Sequence, residues 1–280
     1  SANPVLDFMF KLITIIGEQY VLIIIAAYLY WCKNKNQGLN YIFIVVFSAV
    51  SNTVFKGIIK RSRPEFDGLR KLRESTASGY SFPSGHTQNI TTLFMGFFLI
   101  FKEKIKKQGV FLSIATILIF LVGFSRIYLG AHYPTDVIFA IIFGLIFSFV
   151  PNFLFNKFKN KNKLFLSIIG ILLPVAIYFY FIPITDSLQN MADFFKLYGL
   201  FCAITLGNFL ENKYINFSTE NITLKNKIFR IITGCLVLGL LYLCVKLIFP
   251  NAYIFSFLKY FIVGLIATFV VPACFKFLKI

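Results

Sequence analysis

The sequence predicts an all-α fold: a polytopic membrane helix bundle of about nine transmembrane helices. Three observations predict it. The chain is 58% hydrophobic and only 14% charged, where a soluble domain carries roughly a quarter charged residues. The apolar residues fall into successive blocks, and an α-helix crosses ~30 Å of hydrocarbon with about 20 residues. Lysines collect in the short loops between blocks. A formal net charge of +17 would suggest nucleic acid for a soluble chain. Here the anionic headgroups and the positive-inside rule account for it, so membrane lipids, and no nucleic acid, are the expected partners.

In chain order, the predicted spans are 18–32, 38–56, 85–101, 109–125, 133–150, 164–184, 194–210, 228–249 and 253–275. Ahead of them, Pro4 to Ile16 has apolar residues at Leu6, Met9, Phe10, Ile13 and Ile16, with Asp7 and Lys11 elsewhere. It is too short to cross alone, so it is expected as an interfacial helix or as an extension of the first span. Pro64 disfavours helix at Arg63 and should end the second span near there. Pro83 and Pro134 suit helix starts and open the third and fifth spans. The region after "NKFKNKNK" holds four further spans, with Pro174 as the main break.

Loop charge sets the expected orientation. One set of loops carries Lys33 and Lys35, then Lys102 to Lys107, Lys157 to Lys163, Lys213 to Lys227, and Lys276 and Lys279. On the other side, the loops near Pro183–Asn190 and Pro250–Ala252 have no lysine or arginine, and only the loop from Lys56 to Arg73 is strongly basic. The first set reads as cytoplasmic. The protein is therefore expected as a multi-pass plasma-membrane protein with its N-terminus outside and its C-terminus inside. A cleavable signal peptide is not expected. Cys32, Cys202, Cys235, Cys244 and Cys274 show no CxxC spacing and read as small apolar residues.

Two loops on the outer side carry chemistry. The first begins "KGIIKRSRPEFDG" and ends "GYSFPSGHTQN". Lys56 and Arg63 could reach one anion at the membrane surface; cations snorkelling from a helix end are the alternative. Ser84, Gly85 and His86 follow Pro83 at a helix start, where free amides form an anion site and His86 would project toward it. The second loop is "SRIYLGAHYPTD". Arg126 stands at its start, and His132 and Asp136 are four apart. Asp136 could accept the Nδ1–H of His132, leaving Nε2 to attack and stabilising the cation as it forms. A structural Asp–His pair is the alternative. An aspartate entering an apolar span needs such a partner. A metal bound by both histidines and Asp136 is disfavoured by the absence of HxxxH or HExxH spacing and by the nearby cations.

Taken together, Lys56-x6-Arg63-Pro64, Pro83-Ser84-Gly85-His86 and Ser125-Arg126-x5-His132-x3-Asp136 resemble the three-part signature of the type 2 phosphatidic acid phosphatase (PAP2) superfamily. The nine-span layout is similar to the glucose-6-phosphatase and sphingosine-phosphate phosphatase branches. The resemblance implies a catalytic helical core at 1–150, with 151–280 as appended helices of the same membrane domain. It implies a metal-independent, cofactor-free lipid phosphatase. His132 would be the nucleophile that becomes a phosphohistidine, Asp136 its support, and His86 the general acid and later base. Lys56, Arg63, Arg126 and the Ser84–Gly85 backbone would hold the phosphoryl oxygens.

The expected substrates are lipid phosphates or diphosphates of the phosphatidate, sphingoid or polyprenyl class, because a lipid could enter sideways with its tail between helices. Arg70, Lys71 and Arg73 would lie near the headgroup plane, and Tyr80 and Phe82 near the mouth. The rivals are a sugar-phosphate phosphatase, a lipid phosphotransferase that passes the phosphoryl group to another alcohol, and a transporter. The last would predict charged or broken helices at mid-membrane in both halves.

Overall fold

The computed structural model describes residues 3–65, 72, 79–181, 188–249 and 253–280. Arg70, Lys71 and Arg73, and the late loops at 182–187 and 250–252, lie outside the described residues. Among the described residues the fold is all-helical: α1 (Pro4–Ile15), α2 (Gln19–Tyr28), α3 (Lys35–Ile59), α4 (Gly85–Phe101), α5 (Gln108–Tyr128), α6 (Pro134–Lys157), α7 (Lys161–Phe181), α8 (Leu188–Leu210), α9 (Leu224–Ile248), α10 (Tyr253–Leu265) and α11 (Val271–Leu278). Wide π-type turns continue α2 to Lys33, α8 to Ile215 and α10 into α11.

The nine expected spans correspond in order to α2 through α10. Among the described residues, seven helical stretches are long and apolar enough to cross a membrane. Two expected spans stand outside that set. α4 has only 17 residues. α8 is made less apolar by Asp193 and Lys196, which pair at 2.8 Å. The stretch Pro4–Lys33 forms one candidate span of 30 residues. Length and composition therefore favour α1 as an extension of the first span over a separate interfacial helix.

The chain divides into two compact units, one of Ser1–Ile24 and Asn40–Leu154, the other of Ile25–Leu39 and Phe155–Ile280. Residues 25–39, placed with the N-terminal core on sequence, cluster with the second unit. The reason is local: Trp31 Nε1 donates to Ala267 O at 3.0 Å, and the buried Arg230 donates to Trp31 O at 2.7 Å and to Ile280 O at 2.7 Å. In the same unit Lys35 pairs with the buried Glu211.

The first unit is held by close helix packing and buried polar contacts. Gly144 of α6 abuts α4 so closely that a Cβ there would lie 2.6 Å from Thr91 Cβ. Gly123 of α5 does the same against Val137 at 2.7 Å. Small residues allow helices to approach in this way, because apolar lipid offers little hydrophobic drive between them. Between α3 and α4, Gln88 donates to Ser48 O at 2.9 Å, Asn52 donates to Gln88 Oε1 at 2.8 Å, and Ser48 and Thr92 share a 2.8 Å hydrogen bond. Phe82, expected near the mouth, is instead buried against Phe139 and Phe143 with centroids 5.4 and 6.1 Å away. These contacts fix α4, α5 and α6 beside one another, with the N-termini of α4 and α6 and the C-terminus of α5 at the same end.

Gly144→Leu forces side-chain atoms into the α4 backbone and is expected to destabilise by about 1–3 kcal/mol, the usual range for overpacking. Thermal unfolding in detergent checks this; an unchanged midpoint would show that α4 and α6 are not packed as described.

Candidate active site

The turn between α5 and α6 begins with a Schellman ending. Ala131 N–H donates to Arg126 O and Gly130 N–H to Ile127 O, both at 3.0 Å. Gly130 takes φ 67°, a left-handed value that glycine adopts without a Cβ clash. This reversal carries the chain from Arg126, in the last turn of α5, to His132. Pro134 then opens α6. Asp136, in the first turn, accepts Tyr133 N–H on Oδ2 at 2.9 Å, a carboxylate reaching back across a helix start.

Asp136 Oδ2 also lies 3.5 Å from His132 Nδ1. That is an ion-pair distance, longer than a formed hydrogen bond. Contacts of this kind commonly tighten only in the substrate complex. On the other side of the ring, Arg63 Nη1 faces His132 Nε2 at 3.4 Å. A carboxylate at Nδ1 and a donor at Nε2 assign the proton to Nδ1 and the lone pair to Nε2. His132 is held well below the usual histidine range. Burial is the largest cause; Asp136 opposes it; Arg63, Arg126 and Lys56 add to it. The imidazole is therefore neutral at neutral pH.

The cations come from three elements. Lys56 lies in the last turn of α3, near enough for its charge to act on both imidazoles. α3 ends at Ile59, earlier than the expected stop near Arg63, because Lys60 turns left-handed at φ 49°. The chain beyond is tied down by Ser81, whose N–H donates to Arg61 O at 2.8 Å and whose Oγ donates to Ser62 O at 3.0 Å. Arg63 accordingly reaches back, donating to Ala131 O at 2.9 Å and to Gly79 O at 3.0 Å. Arg126 is buried and donates to Thr14 Oγ1 at 2.8 Å.

α4 starts at Gly85 with Ser84 as its N-cap, so Pro83 stands just before the cap. Ser84 is fully buried, and its N–H donates to Asp136 O at 3.1 Å. Of the three amides expected to hold an anion, Ser84's thus serves the framework. Those of Gly85 and His86 belong to the first turn, where helix geometry supplies no partner. Among the described residues, a Cβ on Gly85 would meet only Asn52 Oδ1, at 3.9 Å, so none of them crowds this helix start.

Three residues escaped the sequence reading. Arg61 donates to Asp136 Oδ1 at 3.0 Å and stacks over Tyr133 at 4.0 Å. Glu18, in the turn before α2, lies 2.9 Å from His86 Nε2. Thr14 holds Arg126. Arg61 lies within the quoted "KRSRP" and could have been weighed beside Asp136; nothing in the sequence pairs Glu18 or Thr14 with residues over 60 positions away. Among the described residues, no three His, Cys, Asp or Glu side chains converge as a metal ion would require.

Residues 37–163 match the family model of the PAP2 superfamily, and residues 195–280 match that of the PAP2 superfamily phosphatase transmembrane extension. The chain is 36% identical over 124 residues to phosphatidylglycerophosphatase B of Bacillus subtilis, covering 42% of this chain and 58% of that protein. It is 34% identical to lipid A 1-phosphatase of Rhizobium johnstonii, over 40% of this chain and 43% of that one. It is 30% identical to undecaprenyl-diphosphatase of Sulfolobus acidocaldarius, over 44% and 57%. The matches thus span about half the length of these relatives. No solved structure matches significantly.

If the space at Gly85 receives a phosphoryl group, Gly85→Ala should leave the melting temperature unchanged and lower turnover about 10²-fold, the effect of a ~1 Å misplacement; wild-type turnover would mean that the space goes unused. A second expectation concerns pH. The unfolded chain takes up a proton on His132 near the ordinary histidine value while the folded one does not, so stability falls as pH drops below about 6.5. Melting temperatures at pH 7 and 5 should show a smaller acid-induced drop in His132→Asn than in wild type.

Proposed function

We propose that this chain, which belongs to the PAP2 superfamily, hydrolyses lipid phosphates or diphosphates through a phosphohistidine on His132, at the extracytoplasmic face of the plasma membrane. The observation that carries the reading is the setting of His132. It is a neutral, buried imidazole with its proton toward Asp136 and its lone pair toward Arg63, among three cations at one end of the helices.

The chemistry follows from that setting. The phosphate replaces the protein carbonyls and hydroxyl that Arg63 and Arg126 now contact, and its oxygens meet Lys56, Arg63, Arg126 and the amides of Gly85 and His86. His132 Nε2 attacks phosphorus. As the N–P bond forms and the P–O bond to the lipid breaks, the bonding pair leaves with the lipid oxygen, and protonated His86 gives that oxygen a proton. Asp136 steadies the positive charge that develops on the ring of His132. Water then attacks phosphorus, gives a proton to His86, and releases inorganic phosphate and neutral His132. Little covalent work falls to the protein, so most of the acceleration comes from positioning and preorganised charge.

Substrate class and sidedness rest on separate supports. The relatives are named for phosphatidylglycerophosphate, lipid A and undecaprenyl diphosphate, all of which carry phosphate on a lipid. The site lies at the opposite end of α4 and α5 from the loop holding Lys102, Lys104, Lys106 and Lys107. By the positive-inside rule that loop is cytoplasmic and the site is outside.

The test uses the purified protein in chelator with phosphatidate, phosphatidylglycerophosphate, sphingosine phosphate, a polyprenyl diphosphate and glucose 6-phosphate. Phosphate release from one or more of the lipids, lost in His132→Ala, is expected; turnover of glucose 6-phosphate alone, or full activity in the variant, overturns it. Intact cells given a water-soluble short-chain lipid phosphate should hydrolyse it outside; hydrolysis only after lysis would reverse the sidedness.

A further inference from the structure

We propose that Glu18 is a positioning residue for His86, holding its Nε2–H so that Nδ1 is presented to the leaving oxygen. The inference rests on the phosphatase reading above and adds to it a residue from outside the 37–163 segment that matches the PAP2 model.

The contact is built into the fold. Glu18 Oε1 lies 2.9 Å from His86 Nε2, and the two side chains are only 25% and 18% exposed. The turn bearing Glu18 sits directly on the first turn of α4. A Cβ on Gly17 would lie 2.8 Å from His86 O and 3.0 Å from Val122 Cγ1, so the backbone has no room to move closer or to carry a side chain. Asn89, one turn along α4, donates to Gly17 O at 3.1 Å. Behind the turn, α1 is fastened to α5: Phe10 packs on Tyr128 with centroids 4.5 Å apart, and Tyr128 donates to Asp7 at 2.7 Å. Glu18 is therefore held at the imidazole from both sides of its turn.

The chemistry explains why a carboxylate belongs there. Glu18 lies in the apolar stretch Pro4–Lys33, where an acidic side chain is costly unless it has a partner. The charges that face His86 are Glu18 from the turn before α2, Arg126 from α5 and Lys56 from α3. Burial and the two cations oppose a charged imidazole, and Glu18 is the group that favours one. With Nε2–H donated to Glu18, the neutral ring has its lone pair on Nδ1. When water gives up a proton in the second half-reaction, Nδ1 accepts it and the ring becomes a cation opposite the carboxylate. In the next cycle the same proton moves from Nδ1 to the lipid oxygen as the P–O bond breaks, and the ring returns to its neutral form. The dependence on Glu18 should then follow the need of the leaving oxygen for a proton. An alkoxide needs it strongly; p-nitrophenolate leaves readily without it.

Full-length protein labelled with ¹⁵N-histidine gives two ring systems, because the chain has two histidines, and His132→Asn identifies His86. Titrated to its neutral form, the wild-type His86 ring should be protonated on Nε2 and bare on Nδ1, and Glu18→Ala should shift that signature. Kinetically, Glu18→Ala should lower kcat/KM for an alkyl lipid phosphate about tenfold or more, a share of the ~10²–10⁴ that acid–base catalysis supplies. It should leave kcat/KM for p-nitrophenyl phosphate nearly unchanged, which also shows that the variant is folded. Glu18→Asp should recover part of the loss. Equal losses on both substrates, no loss on either, or an unshifted ring signal would overturn the proposal. Failure of the phosphatase reading has a different mark, full lipid phosphatase activity in His132→Asn or none in wild type, and the ring signal still reports whether Glu18 sets the His86 tautomer.

Discussion

A single buried carboxylate holds the candidate site together. Asp136 has no exposed surface, yet it sits at the start of an apolar helix, where an unpaired charge would be strongly unfavourable. Each of its oxygens is answered from a different part of the chain. Oδ1 takes Arg61, from the segment after α3; Oδ2 takes Tyr133 N–H and faces His132 Nδ1; the backbone oxygen takes Ser84 N–H at the cap of α4. Three loops are thereby drawn to one point. The long carboxylate–imidazole distance leaves the contacts with Arg61 and Tyr133 N–H as the formed hydrogen bonds of this carboxylate, with the His132 ring facing the oxygen that Tyr133 also uses.

The same site gathers cations around His132, the proposed nucleophile, which would have to be neutral to attack. Arg63, Arg126 and Lys56 would repel one another without counter-groups. Arg63 is met by the carbonyls of Ala131 and Gly79, and Arg126 by the hydroxyl of Thr14. In the proposed reaction the phosphate would compete with these acceptors for the guanidinium groups, and charge-assisted hydrogen bonds are stronger than those to neutral acceptors. Arg63 also faces His132 Nε2; in the proposed reaction its turn toward phosphate would uncover the lone pair.

Much of this was legible in the sequence, for physical reasons that can be named. Long apolar blocks have few solutions in a bilayer, so the nine expected spans correspond in order to helices α2 to α10, although among the described residues only seven stretches are long and apolar enough to cross. Prolines fixed helix starts at Pro134 and just before Ser84, because a proline constrains its own torsion angle and its neighbour's whatever the tertiary context. The spacing of His132 and Asp136 is local to one helix start. α3 ends before the stop that Pro64 predicts, because Lys60 turns left-handed at a residue type that gives no signal for it. The amide of Ser84 was assigned to an anion although it is used by Asp136 O, a contact across 52 positions. Arg61, Thr14 and Glu18 also act over long range, and no local pattern encodes which helix end they will meet.

Those long-range contacts bear on what distinguishes this site from a bare motif set. In the proposed reaction the three motifs would supply a nucleophile, its support, an acid–base histidine and phosphate-binding groups, all within residues 56–136. Two of those motif residues, His86 and Arg126, are in turn contacted by α1 and the turn that follows it, through Glu18 and Thr14. A helix that packs on α5 with aromatic rings and buries Thr14 beneath Arg126 cannot shift without moving the arginine. The N-terminal segment is thus part of the wall of the site, and its geometry limits where the phosphate and the leaving oxygen can lie. Under the proposed reaction that constraint would suit a lipid substrate: the tail could vary in length and branching among the helices, while phosphorus, Nε2 of His132 and the proton on His86 would be held in one register.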